Sequence, residues 1–128
     1  MSTSALILFA HGARAASWAE PFERLRALTQ ARLPRVAVGL AFLELMEPRL
    51  PALVADLVAA GAVEISVVPV FLGQGGHVLR DLPLMVEQLR REYPHVAITV
   101  AQAAGENAAV LDAIADYCVG SVGGAGPL

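Results

Sequence analysis

Chemistry in this chain must come from few residue types. The 128 residues include three histidines, His11, His77 and His95, twelve carboxylates, one cysteine, and nine basic residues that are all arginine. His11 ends an apolar run, His77 follows the glycine-rich string Gly73-Gln74-Gly75-Gly76, and Glu44 follows a second apolar run. Two imidazoles and a carboxylate suit a borderline divalent ion such as cobalt, iron, nickel or zinc. A neutral imidazole can also take up a proton near neutral pH. The intervals between these residues are long, with no C-x-x-C or H-E-x-x-H spacing to fix a site locally. Taken by spacing alone, His11 and His77 read equally well as loop histidines bonded to backbone. The choice turns on whether the fold brings them to one place.

The elements that would position them alternate along the chain. Short apolar runs at 5–10 (ALILFA), 36–43, 64–72 and 96–101 alternate with stretches of helical period. That alternation is the signature of parallel βαβ units. Ser17 and Glu20 have capping-box spacing and predict a helix running to about Leu33, stopped by Pro34. Pro48 suits the first turn of a second helix, carried by Leu50, Leu53, Val54, Leu57 and Val58 and ended by Gly61. Pro69 predicts a bulge or an end to pairing in the third strand. A third helix, with Asp81 and Pro83 near its start, carries Leu82, Met85, Val86 and Leu89. In the last helix Val110, Ile114, Tyr117 and Cys118 share a face expected to point inward, with Cys118 as a small core residue.

The predicted fold is a single three-layer α/β domain over residues 1–119. Its four-stranded parallel sheet has order 2-1-3-4 and helices on both faces, and residues 120–128 form a flexible tail. Open α/β sheets bind ligands beyond the carboxyl ends of their strands, where the strand order reverses. His11 and His77 would flank that crevice, with Glu44 on the same edge. His95, after Pro94, falls at the opposite edge. Gly75 and Gly76 would let backbone approach a flat ligand.

Composition removes other readings. Without lysine there is no Schiff-base chemistry and no Walker-type phosphate loop. A net charge of −3 argues against nucleic acid as a partner. The glycine loop could be read as a phosphate cradle at a helix N-terminus, but the full dinucleotide fingerprint fails because Val78 stands where its third glycine belongs. No G-x-S-x-G supports a serine hydrolase. No apolar stretch reaches the ~18 residues needed to cross a bilayer, and the N-terminus lacks a signal-peptide pattern, so a cytoplasmic location is expected.

Three segments carry a further pointer: LFAHGAR (Leu8 to Arg14), AFLELMEP (Ala41 to Pro48) and VPVFLGQGGHVLRDLP (Val68 to Pro83). In this order they resemble the small sirohydrochlorin chelatases of the CbiX and SirB type. The resemblance implies ATP-independent insertion of a divalent metal, cobalt first, iron next and nickel as a third option, into sirohydrochlorin, with no organic cofactor. It implies that His11 and His77 bind metal and act at the pyrrole nitrogens, with Glu44 as a further metal or proton handler. Ala13 departs from the family's H-G-S-R string, which removes a hydroxyl but no ligand. Arg14 and Arg80, each three residues past a histidine, could pair with the substrate's carboxylates, or simply be solvated. Phe71 and Leu72 fit either the macrocycle's wall or the core. The resemblance also implies a homodimer, because larger relatives hold two such halves around one cleft. The competing readings are a metal or tetrapyrrole carrier using the same pocket and, more remotely, a nucleotide-binding module.

Overall fold

The computed structural model describes residues 3–73 and 75–123, without the side chains of His77 and Leu79. Four parallel strands, β1 (Ser4–Ala10), β2 (Ala37–Phe42), β3 (Glu64–Pro69) and β4 (Ala97–Val100), lie in the order β2-β1-β3-β4. Between and after them run α1 (Glu20–Arg32), α2 (Leu50–Ala59), α3 (Gly76–Glu92) and α4 (Ala108–Gly120). The expected α/β class, strand number and strand order are those observed.

The central strand β1 pairs on both sides, Ala5 to Ala10 with Ala37 to Phe42 and Ser4 to Phe9 with Glu64 to Pro69. Its side chains alternate between two cores. Ala5, Ile7 and Phe9 join Val54, Ile65, Val67, Val86 and Ile98 under α2 and α3. Leu8 and Ala10 join Val38, Leu40 and Phe42 against Phe22 of α1. A strand apolar on both faces is what a parallel sheet with helices on each side requires.

Several local expectations are corrected. Ser17 caps no helix; it sits in a 3-10 turn, Ala16–Ala19, and α1 begins at Glu20 with Pro21 in its first turn and no side-chain cap. The main chain takes the place of the expected capping box, since Glu20 N donates to Ser17 O. Pro48 precedes α2, in a loop where its peptide bond with Glu47 is cis, and Pro51 occupies the first turn instead. Helix α3 begins at Gly76, so His77 lies in its first turn rather than in a loop, and Pro83 falls inside the helix. The third strand ends at Pro69, as its missing amide donor requires. Helix α4 buries none of its residues and Cys118 is exposed, so the inward face expected there is absent. Of the expected tail, residues 124–128 lie outside the described residues, and Gly120 is the last residue of α4. Among the described residues no helix is long and apolar enough to cross a membrane.

Phe9 is fully buried and meets Phe71 edge to face at 6.0 Å between ring centres. Phe9→Ala is expected to cost about 3–5 kcal/mol, whereas Leu84→Ala, at a site 66% exposed, should stay within about 0.5 kcal/mol. Urea denaturation of the two variants checks the contrast.

Candidate functional site

The carboxyl ends of β1 and β2 release their chains side by side, because Leu43 N donates to Ala10 O at 2.8 Å after the last strand pair, Ala10 with Phe42. His11 and Glu44 are the next residues out from that hydrogen bond. The Glu44 carboxylate uses both oxygens: Oε1 lies 3.2 Å from His11 Nδ1, and Oε2 accepts from Gly12 N at 3.2 Å. A carboxylate beside Nδ1 favours the tautomer with its proton there. The lone pair is then left on Nε2, free for a metal or a proton.

Two further contacts fix the ring. It lies on Phe71 with centres 4.7 Å apart, and the His11 carbonyl accepts from Trp18 Nε1 at 2.7 Å. Trp18 in turn packs on Phe22 at 5.5 Å. His11, Trp18, Phe22, Val70, Phe71, Leu72 and Gly73 line an open cavity of about 290 Å³. Phe71 is buried while Leu72 is 66% exposed, so the first belongs to core and cavity wall together and the second to the rim. Trp18 was not singled out by the sequence. Its position seven residues past His11, in the turn leading to α1, is the one signal that could have marked it.

Glu44 is delivered by a sharp turn. Leu45 adopts φ 67°, and Met46 N donates to Glu44 O at 2.8 Å. A three-residue turn of this kind is rare and strained in a non-glycine residue, and strain of this sort clusters at functional sites. Glycine at position 12 is required by space, because a Cβ there would collide with the Glu44 carbonyl. At Gly105 a Cβ would collide with the Leu72 backbone, and its amide donates to Phe71 O at 2.9 Å. That close approach holds the segment leading from β3 towards α3.

Of the remaining sequence candidates, His77 has its backbone in the first turn of α3, beyond the segment whose Gly73 lines the cavity. Gly75 precedes that helix as its N-cap residue. A side chain added at Gly75 or Gly76 would meet nothing within 4 Å, so packing does not demand these glycines. Arg14 and Arg80 are exposed. His95 is exposed at the amino end of β4, the opposite edge. Among the described residues no three His, Cys, Asp or Glu side chains form a ready cage for a metal. The described part of the site therefore offers one imidazole with its carboxylate.

The fold and this edge together define the class: a doubly wound parallel α/β domain with an imidazole-carboxylate pair beyond the carboxyl ends of its strands. The CbiX family model matches residues 5–118, and the chain belongs to that family. A sirohydrochlorin cobaltochelatase from Methanocaldococcus jannaschii is 38% identical over 84 residues, which are 64% of this chain and 57% of the relative. One from Sulfolobus acidocaldarius is 30% identical over 107 residues, 84% of this chain and 83% of the relative. Among solved structures, a protein described as a cobalamin-biosynthesis CbiX protein from Marinobacter aquaeolei superimposes with TM-score 0.80 at 36% identity, covering 90% of this chain and 93% of that one. The sirohydrochlorin chelatase SirB from Bacillus subtilis, solved with cobalt, shares the fold with TM-score 0.79 at 24% identity, over 94% of this chain and 51% of SirB. The chain thus spans little more than half of some relatives and nearly all of others.

Gly12→Ala must displace the loop that carries Glu44. The expected cost is about 1–3 kcal/mol, the range for overpacking a filled site, read as a lower urea midpoint. Trp18 is the sole tryptophan and is bonded to the His11 carbonyl, so the variant should also alter the intrinsic fluorescence.

Proposed function

We propose that this chain inserts a divalent metal into sirohydrochlorin without ATP, taking cobalt in preference to iron and iron in preference to nickel. The observation that carries this reading is the His11–Glu44 pair beside an apolar wall, in a chain whose curated relatives are named sirohydrochlorin cobaltochelatases. Insertion of M²⁺ into a tetrapyrrole releases two pyrrole protons, so the enzyme must hold a cation and remove protons at one place. An imidazole with Nε2 free does either task. It ligates the ion when neutral and becomes imidazolium on taking a proton, a charge that Glu44 at 3.2 Å offsets. Glu44 can then pass the proton towards solvent, since the pair is about 40% exposed.

His77, in the first turn of α3, is the second metal-binding and proton-accepting group in this proposal. Phe71, Leu72 and Trp18 offer the flat macrocycle an apolar surface. Gly75 and Gly76, where packing leaves open space, let the backbone lie close to it. Arg14 and Arg80 at the rim pair with its carboxylates. The site needs no organic cofactor for this exchange of protons for metal.

The protein acts as a homodimer in this reading. The chain accounts for half of SirB's length, and a second copy would supply the facing wall of the cleft. A cytoplasmic setting follows from the same reading.

Purified protein mixed with sirohydrochlorin and Co²⁺, Fe²⁺ or Ni²⁺ should accelerate the change in the visible spectrum over many turnovers. His11→Ala and His77→Ala should lower the rate about 10²–10⁴-fold, the range for a lost acid-base group. Glu44→Gln should lower it about 10–100-fold, as expected for a residue that orients a ligand. A spectral change limited to one equivalent of substrate would instead make the chain a carrier, and wild-type rates in both histidine variants would overturn the assignment.

A further inference from the structure

Trp18 is joined to the site by more than packing. It stands in the 3-10 turn Ala16–Ala19, where its amide donates to Ala15 O at 3.0 Å. Its ring lies on Phe22 and is 42% exposed. An indole N–H at that exposure has water within reach and no need of a protein acceptor. Nε1 nevertheless meets the His11 carbonyl at 2.7 Å, at the short end of the usual N–H···O range. Contact with Phe22 does not call for that bond, which a phenylalanine or leucine at this position would lack.

The accepting carbonyl belongs to the peptide that joins His11 to Gly12, and the N–H of the same peptide donates to Glu44 Oε2 at 3.2 Å. A trans peptide points its C=O and N–H in opposite directions. Trp18 therefore holds one side of this plane and Glu44 the other. The second carboxylate oxygen, Oε1, lies 3.2 Å from His11 Nδ1. The contacts form one chain, from the indole N–H through the peptide and the carboxylate to the ring of the residue whose carbonyl began it. A bond accepted at the carbonyl polarises the peptide and strengthens its N–H as a donor, by about 10–30% per bond. The plane sits tight against the loop that carries Glu44, since a Cβ at position 12 would collide with the Glu44 carbonyl and meet Met46 Cγ at 3.2 Å.

We propose that Trp18 is a positioning residue for the His11–Glu44 pair, acting through the His11–Gly12 peptide. Its N–H fixes and polarises the peptide plane, the Gly12 amide fixes the carboxylate, and the carboxylate sets the ring. The indole also lines the cavity beside His11, and its two duties separate by atom. The ring gives an apolar wall to whatever enters, while the single N–H orients the pair. The kinetic consequence rests on the metal-insertion reading above; the chain of bonds rests on geometry alone.

Trp18 is the sole tryptophan, so a tryptophan auxotroph fed benzothienylalanine replaces one N–H by sulfur at this one place and keeps the ring. In that protein kcat for metal insertion into sirohydrochlorin should fall about 10-fold, the low end for an outer partner of a metal ligand, with KM unchanged. Trp18→Leu, which loses the wall as well, should also raise KM. In a Glu44→Ala background the sulfur replacement should change kcat little, because the chain is already cut. The Gly12 amide proton of the unliganded protein should move upfield on the replacement, a readout that needs no activity. An unchanged Gly12 signal, an unchanged kcat, or the full 10-fold loss again on top of Glu44→Ala would each overturn the proposal. If the wild type inserts no metal, the function proposed above fails and the Gly12 signal alone decides the chain of bonds.

Discussion

The Glu44 carboxylate, held between the His11 ring and the Gly12 amide, is the contact on which the rest of this end of the molecule depends. Neither residue is placed by its own neighbours alone. His11 is set by the register of β1, Glu44 by that of β2, and the two meet because Ala10 pairs with Phe42 and Leu43 still donates to Ala10. A slip of one residue would turn every side chain of the strand to the other face and separate the pair. The burial of Leu8, Ala10, Leu40 and Phe42 on one side and of Ile7 and Phe9 on the other forbids that slip. The hydrophobic pattern that makes the sheet therefore also places the carboxylate that favours one tautomer of the site's imidazole.

The architecture was legible because its signals are periodic. Apolar runs alternating with helical stripes define four βα units whatever their details, and the switch point of such a sheet places His11, Glu44 and the glycine loop on one edge. The boundaries were less legible where backbone contacts compete with side-chain ones. Ser17 and Glu20 have the spacing of a cap, but Trp18 between them is drawn to the His11 carbonyl and the segment closes as a 3-10 turn. At Pro48 and Pro51, two prolines compete for one helix start and the later one takes it. The bent conformation of Leu45 leaves no trace in composition, since leucine gains nothing locally from a positive φ.

Helix α4 shows a different limit. Its apolar spacing states that a face must be buried but not in whose core. An inward face on its own chain was the natural expectation, and the structure leaves that face exposed beside a sheet surface that needs cover. Periodicity reports the demand for burial, while the identity of the covering surface depends on how far the connection from β4 can turn back. Here the connection runs through Ala104–Glu106, where Gly105 is pressed against the Leu72 backbone and its amide is bonded to Phe71 O.

That bond ties the connection after β4 to the wall beside His11. The segment that directs α4 away from the sheet is held by the same stretch, Phe71 and Leu72, that forms the wall beside His11. Phe71 is at once under the imidazole, against Phe9 in the core, and in the lining of an apolar groove. A shift of Phe71 would therefore reach the ring that Glu44 orients. Close-packed interiors transmit such displacements rather than absorbing them. The packing of the core beneath β1 and the orientation of the site's imidazole are then set through one side chain.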